Sequence, residues 1–352
     1  MARRIVLIGY PHAQVSGQER PQLPEAFRER LRALDPQAEV VYAPVPVDGE
    51  MLTRMRAGDP AELLRYNERF PAQFMQALPD TEVLFTLLAP VDLLQRAPKL
   101  RWVANVGSGT EHYSAHGILG SHVTLSSSKG VAARSVAEFA VSQLLMLARS
   151  WPARLADQRD HRWRWHTGRE LDTMTLGIVG LGEIGREVAR MAKVFGLRVI
   201  GTRRRATELP PHVDAVYAPE QLHEMLEQSD AVVIAAAFGP QTAGMFDREK
   251  LARMRRGAFL LNVARGGLVD EVALEEALRS GHLGGAAFDV FSQEPLPPES
   301  ALWEVPNLLI SAHNAVGLKD YGAHAFKRFL DDYADFRAGR PLRGRVDPQT
   351  GY

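Results

Sequence analysis

An apolar run through Ile178 and Val179 ends in Gly180-x-Gly182-x-x-Gly185, and a helical pattern follows at once. Ile184, Val188, Met191, Ala192 and Phe195 recur at helical spacing, and Gly196 closes the segment. A second short apolar run then leads to Thr202 and Arg203. Strand, glycine turn, helix and strand in that order suit a dinucleotide whose pyrophosphate rests on the helix N-terminus. Gly180 lets the chain turn sharply out of the strand. Gly182 keeps a Cβ out of the way of the phosphates, and Gly185 lets the helix pack tightly on the sheet. The N–H groups of Glu183, Ile184 and Gly185 lack partners within the helix and would face the anion with the helix dipole behind them.

The rest of the chain is consistent with a water-soluble α/β protein of two lobes. Its 352 residues are enough for two ordinary domains, and 45% hydrophobic with 24% charged residues is a globular balance. A net charge of zero provides no field that would favour nucleic acid or a membrane surface. The N-terminal apolar run is too short for a signal peptide and reads as a first strand, so the cytoplasm is the expected location. No apolar stretch approaches the roughly 18 residues of a membrane span. Cysteine is absent, which excludes disulfides, thiolate catalysis and cysteine-bound zinc, and no metal site is expected.

Short apolar runs alternate with helical patterns nearly throughout, which predicts parallel sheets. Strands are expected at 4–8, 39–42, 83–87, 100–106 and 122–125, with helices at 25–34 and 61–78 between them. An amphipathic segment covers 135–149, and 151–172 shows no clear period. Further strands are expected at 231–236, 258–263, 285–289 and 307–310, followed by a helix over 323–336 and a polar end. The architecture predicted is α/β, with two Rossmann-like lobes built on doubly wound parallel sheets. Residues 128–314 would form the dinucleotide-binding domain. Residues 1–127 and 315–352 would together form a discontinuous substrate-binding, catalytic domain.

Three strand ends beyond the glycine loop carry polar side chains: Asn262-Val-Ala-Arg265-Gly-Gly, Asp289-Val-Phe-Ser-Gln-Glu294-Pro-Leu, and Ser311-Ala-His313-Asn. In an open parallel sheet, ligands lie beyond the carboxyl ends of the strands, so Arg265, Glu294 and His313 are expected to converge near the nicotinamide. Together with the glycine loop and the segment 130–149, these motifs resemble the D-isomer-specific 2-hydroxyacid dehydrogenases, glyoxylate and hydroxypyruvate reductases among them. The resemblance spans about residues 100–352.

It implies hydride transfer between NAD(P)H and a 2-oxo acid, giving a D-2-hydroxy acid. His313 would be the acid/base, Glu294 would orient it and favour its protonated form, and Arg265 would grip the substrate carboxylate. It also implies that Val106, Gly107, Ser108 and Gly109 bind the substrate carboxylate. Ala236, Thr242, Val263, Ala264, Asp289 and His313 would line the cofactor. The chain departs from the family pattern in Glu111, where Asp is usual, in Ala312 before His313, where Pro is common, and in Ser126–Ser128, where Asn-x-Pro is common.

Where an NAD-specific enzyme would carry an acidic residue, this chain has Thr202, Arg203, Arg204 and Arg205. Arginines can hold a 2′-phosphate, so NADP(H) is the preferred cofactor expected, with NAD(H) possible. The partners expected are a small 2-oxo or 2-hydroxy acid and a second copy of the chain, with no nucleic acid or membrane. Trp163 and Trp165 would cover the homodimer interface, or one of them would enter the partner's pocket. Alternatives are a dinucleotide-sensing protein resembling the C-terminal-binding corepressors, and a formate dehydrogenase, whose relatives carry Gln in place of Glu294.

Overall fold

The computed structural model describes residues 4–9, 23–46, 64, 66–204, 208–317 and 321–349. The chain divides into two compact units, Met1–Val131 with Lys319–Tyr352, and Ala132–Leu318. The first unit runs β1 (Arg4–Gly9), α1 (Glu25–Leu34), β2 (Ala38–Tyr42), α2 (Ala72–Ala77), β3 (Thr81–Thr86), α3 (Leu93–Arg96), β4 (Trp102–Asn105) and β5 (Thr124–Ser127). The second runs α4 (Ala133–Ala148), α5 (Trp151–Arg159), β6 (Thr175–Val179), α6 (Glu183–Val194), β7 (Arg198–Thr202), β8 (Ala215–Tyr217), α7 (Leu222–Gln228) and β9 (Ala231–Ile234). It continues through α8 (Arg248–Arg253), β10 (Ala258–Asn262), α9 (Glu271–Arg279), β11 (Leu283–Phe288) and β12 (Leu308–Ile310). The chain then returns to the first unit as α10 (Tyr321–Arg337).

Both sheets are parallel and doubly wound, as the alternation of strands and helices predicts. The first has the order β2-β1-β3-β4-β5 and the second β12-β11-β10-β9-β6-β7-β8. In the second sheet the order reverses between β6 and β9, so the glycine loop that follows β6 sits at the topological switch point. Near-continuous burial along these strands reflects helices covering both faces. The returning α10 lays Phe326, Phe329 and Tyr333 on the first sheet beside Phe27, Phe85 and Trp102. Phe329 stacks on Trp102 at 5.3 Å between ring centroids. That apolar face makes the first unit discontinuous: without the C-terminal helix, Trp102 and Phe85 would lose their cover.

Two local expectations change and one strand is added. Within the predicted helix 61–78, residues 61–63 and 65 lie outside the described residues, and the remainder is interrupted. A 3-10 turn at Asn67–Arg69 gives way to extended Phe70, because Pro71 disfavours a helical residue before it, and α2 starts just after that proline. The supposedly irregular 151–172 opens with α5, which Pro152 starts in its first turn. Trp151 and Leu155 stay largely exposed, so α5 buries no apolar stripe that would leave a period in the sequence. The short edge strand β8 carried no sequence signal of its own.

Tyr113, His112 and His116 hold the turn after β3. The Nε2 of His112 bonds the Leu87 carbonyl at 2.8 Å, and that of His116 bonds the Ala89 carbonyl at 2.9 Å. Burial pushes the His116 pKa below its ordinary 6.5, outweighing the carbonyl that favours its charged form. The unfolded chain therefore binds that proton more readily than the folded one. The stability this residue permits is complete above 6.5 and erodes as the pH falls through 6.5 towards the folded value. Denaturant midpoints should drop over that window, and His116→Gln should flatten the drop. An unchanged slope in the variant would contradict this account.

Candidate active site

The glycine loop is built by close contacts that leave one open side. Gly180 has φ +100°, and a Cβ there would lie 2.8 Å from the backbone of Ala235 and Ala236 at the end of β9. A Cβ at Gly185 would lie 2.1 Å from the Gly180 carbonyl oxygen, so helix and turn are in direct contact. At Gly182 an added Cβ would meet nothing within 4 Å. Open space in front of the first turn of α6 is the cradle that a pyrophosphate requires, and the residues present fit it. Thr202, at the end of β7, is buried and braces the loop: its Oγ1 accepts from the Gly180 N–H at 3.3 Å and its carbonyl from the Leu181 N–H at 3.1 Å. Arg203 and Arg204 are exposed just beyond it, while Arg205 lies outside the described residues.

The neighbouring strand ends are chained to one another. The Asp289 N–H donates to the Asn262 carbonyl at 3.0 Å, and the His313 N–H donates to the Asp289 carbonyl at 2.8 Å. Beyond β12, the Nδ1–H of His313 donates to Glu294 Oε2 at 2.7 Å, and Glu294 Oε1 accepts from the Phe291 N–H at 3.0 Å. With Nδ1 engaged, Nε2 is the other ring nitrogen able to carry a proton. His313 also has φ +50°, a left-handed conformation that costs a non-glycine residue about 1–3 kcal/mol and persists only where its surroundings enforce it.

Asp289 supplies that enforcement. It is 2% exposed, and its carboxylate accepts from the Ser311 hydroxyl at 2.6 Å, the Asn314 N–H at 2.9 Å and the Ala315 N–H at 3.0 Å. The expectation set Asp289 against the cofactor; the contacts it makes within the chain hold the turn that carries His313.

Arg265 follows β10 on a loop shaped by Asn262, which is fully buried. The Asn262 Nδ2 donates to the Arg265 carbonyl at 2.9 Å, and its Oδ1 accepts from the Ala264 N–H at 3.1 Å. The Arg265 Nη1 donates to the Ala264 carbonyl at 2.7 Å. Val263 and Ala264 are buried, whereas Ala236 is only partly so. Thr242 organises the loop after β9, accepting from the Gly239 N–H at 2.9 Å and donating to the Ala237 carbonyl at 2.8 Å. In the first unit, Asn105 Nδ2 donates to the carbonyls of Gly107 and Gly109 at 3.0 and 2.7 Å, shaping the loop from Val106 to Gly109.

Sequence reasoning passed over Asn262, Gly266 and Ser311 as functional positions. Asn262 had a signal, a polar residue ending an otherwise apolar strand. Gly266 had none that separates it from an ordinary turn. A Cβ at Gly266 would lie 1.9 Å from the Phe291 carbonyl carbon, so this glycine lets the Arg265 loop press against the segment that carries Glu294.

The arrangement therefore offers a guanidinium, a carboxylate-anchored imidazole and an anion cradle at the carboxyl ends of one parallel sheet. Gly266→Ala should part the Arg265 loop from the Phe291–Glu294 turn and destabilise the protein by about 1–3 kcal/mol. Gly182→Ala, facing open space, should cost less than about 1 kcal/mol. Denaturant unfolding of both variants checks the contrast, and equal losses would refute it.

The family model for the D-isomer specific 2-hydroxyacid dehydrogenase NAD binding domain matches residues 141–315. A glyoxylate reductase from Korarchaeum cryptofilum is 33% identical over 75% of this chain and 82% of its own length. The D-3-phosphoglycerate dehydrogenase of Rattus norvegicus is 32% identical over 74% of this chain, which spans 49% of that longer enzyme.

Among solved structures, a D-isomer specific 2-hydroxyacid dehydrogenase from Xanthobacter autotrophicus Py2, in complex with NADPH and MES, superposes with a TM-score of 0.77. It is 28% identical, with full coverage of both chains. An NADPH-dependent glyoxylate/hydroxypyruvate reductase from Sinorhizobium meliloti, in complex with NADP and sulfate, gives a TM-score of 0.76 at 28% identity over 99% of each chain. With a curated relative matched at this identity over most of both lengths, the chain belongs to the D-isomer specific 2-hydroxyacid dehydrogenase family and is an NAD(P)-dependent oxidoreductase.

Proposed function

We propose that this protein reduces small 2-oxo acids to D-2-hydroxy acids, with NADPH preferred over NADH. The observation that carries the reading is the 2.7 Å hydrogen bond from His313 to Glu294, set at the strand ends of the lobe that holds the glycine cradle. The substrate class follows from charge. A 2-oxo acid is an anion whose carbonyl must gain a hydride and a proton, so it calls for a fixed cation and a proton donor near neutral pH.

In this reading, Arg265 binds the substrate carboxylate with its fork of N–H donors and polarises the 2-oxo oxygen. The bound nicotinamide supplies the hydride. His313 Nε2 gives its proton to the oxygen as the carbonyl becomes an alcohol, and Glu294 steadies the positive ring beforehand through Nδ1. The backbone of the loop from Val106 to Gly109 serves as a further carboxylate-binding element, since small residues leave its N–H groups accessible.

Glu183, Ile184 and Gly185 hold the pyrophosphate at the start of α6, and Ala236, Thr242, Val263, Ala264 and the Asp289 turn line the nucleotide. Arg203 and Arg204 are exposed where a 2′-phosphate would fall, and two related structures carry NADPH or NADP. Arg205 is assigned to the same phosphate.

A panel of 2-oxo acids, glyoxylate and hydroxypyruvate included, assayed with both cofactors, tests this directly. NADPH oxidation should outrun NADH oxidation, and His313→Gln should lower kcat by about 10²–10⁴-fold while cofactor binding persists. Arg203→Asp should weaken NADPH use and spare NADH. NADPH binding without turnover of any acid would point instead to a cofactor sensor.

The same reading places the enzyme in the cytoplasm as a homodimer. Trp163 and Trp165 are fully exposed within one chain, which is costly unless a second copy covers them. Light scattering should give twice the 39.0 kDa chain mass, and Trp163→Ala with Trp165→Ala should shift it towards one. A parent protein of single-chain mass would refute the dimer.

A further inference from the structure

We infer that Tyr321 is a positioning residue for the substrate carboxylate, acting through the backbone of the loop from Val106 to Gly109; this rests on the 2-oxo-acid reading above. Tyr321 opens α10, where the chain has just re-entered the first unit, 215 residues from the loop it touches. Its hydroxyl donates to the Val106 carbonyl at 2.7 Å. The next carbonyl, that of Gly107, accepts from Asn105 Nδ2 and from the Ser128 N–H, each at 3.0 Å. The Gly109 carbonyl accepts from the same Asn105 amide at 2.7 Å.

In a trans peptide the C=O and the following N–H point in opposite directions. Holding the Val106 and Gly107 carbonyls on the side of Tyr321, Asn105 and Ser128 therefore turns the N–H groups of Gly107 and Ser108 the other way. Among the described residues, the N–H groups of Gly107, Ser108 and Gly109 have no hydrogen-bond partner. Ser108 is exposed and its two neighbours are glycines, so nothing of their own covers these donors. Successive N–H groups presented in this way form an anion-binding concavity.

Of the three groups that set it, Asn105 is 1% exposed and shapes the whole turn, while Ser128 acts mainly through its backbone. Tyr321 contributes its hydroxyl to the Val106 carbonyl. Removing that hydroxyl frees the peptide between Val106 and Gly107 to rotate, which lowers the preorganisation of the donors without emptying the core. The loss should appear in carboxylate binding and leave hydride and proton transfer intact.

Tyr321→Phe in the full-length protein tests the latch. The KM for glyoxylate should rise about tenfold, and oxalate, titrated calorimetrically as a carboxylate probe, should bind weaker by a similar factor. The kcat, the Kd for NADPH and the thermal midpoint should stay within about twofold or a degree of the parent. Unchanged glyoxylate KM and oxalate affinity would overturn the inference. So would a loss of oxalate binding that comes with equal losses of NADPH binding and thermal stability, since that marks a merely structural tyrosine. If the parent turns over no 2-oxo acid, the functional reading fails, and the oxalate titration still decides the latch. Weaker binding by the variant then supports it; equal binding, or none by the parent, overturns it.

Discussion

Three parallel strands that end level with one another make the candidate chemistry possible. Asn262 at the end of β10 pairs with Phe288 of β11, and Phe288 pairs with Ile310 of β12. Whatever follows those residues emerges at the same height on the same edge of the sheet. The chain then needs only short extensions to bring a guanidinium, a carboxylate and an imidazole to one rim, and Arg265, Glu294 and His313 follow Asn262, Phe288 and Ile310 by 3, 6 and 3 positions. Side chains alternate along a strand, so a one-residue slip of β12 against β11 would reverse the direction of each of its side chains, and the placement of His313 depends on this register.

Level strand ends bring the side chains near one another but do not orient them. Orientation comes from Asp289, which lies immediately after β11. Burying a carboxylate is costly unless donors replace the lost water, and here a hydroxyl and two backbone N–H groups do so. Those same donors belong to the residues that flank His313, so the need to satisfy one buried charge also pins the unusual backbone of the turn. The imidazole is then fixed from two sides, by Asp289 through its backbone and by Glu294 through Nδ1.

Much of this is legible in the residues alone. The glycine cradle announced itself through strand, turn and helix periods that agree with one another, and Arg265, Glu294 and His313 stood out as polar residues just past apolar runs. The features that escaped reading depend on partners far away in the chain. Nothing local around Asp289 says that Ser311, Asn314 and Ala315 fold back on its carboxylate. Gly266 looked like any turn glycine because the Phe291 backbone it touches is 25 residues away. The helix α5 left no period because its larger apolar side chains face away from the core of its own chain, and α2 starts only after Pro71, which acts against the surrounding helical pattern.

The residue before His313 gives these observations a common explanation. Relatives often place a proline there, whose ring presets the backbone ahead of the turn, whereas this chain has Ala312. An alanine presets nothing, so the turn must draw its rigidity from elsewhere. The hydrogen bonds of Asp289 fall on both sides of Ala312, at Ser311 before it and at His313, Asn314 and Ala315 after it. Constraint by a network replaces constraint by a ring, and the network has one property that a ring lacks. It is anchored to β11, the strand that also leads to Glu294, so the hydrogen-bonded histidine and glutamate share a single mechanical base. The 2.7 Å contact between them therefore rests on one strand end and not on two.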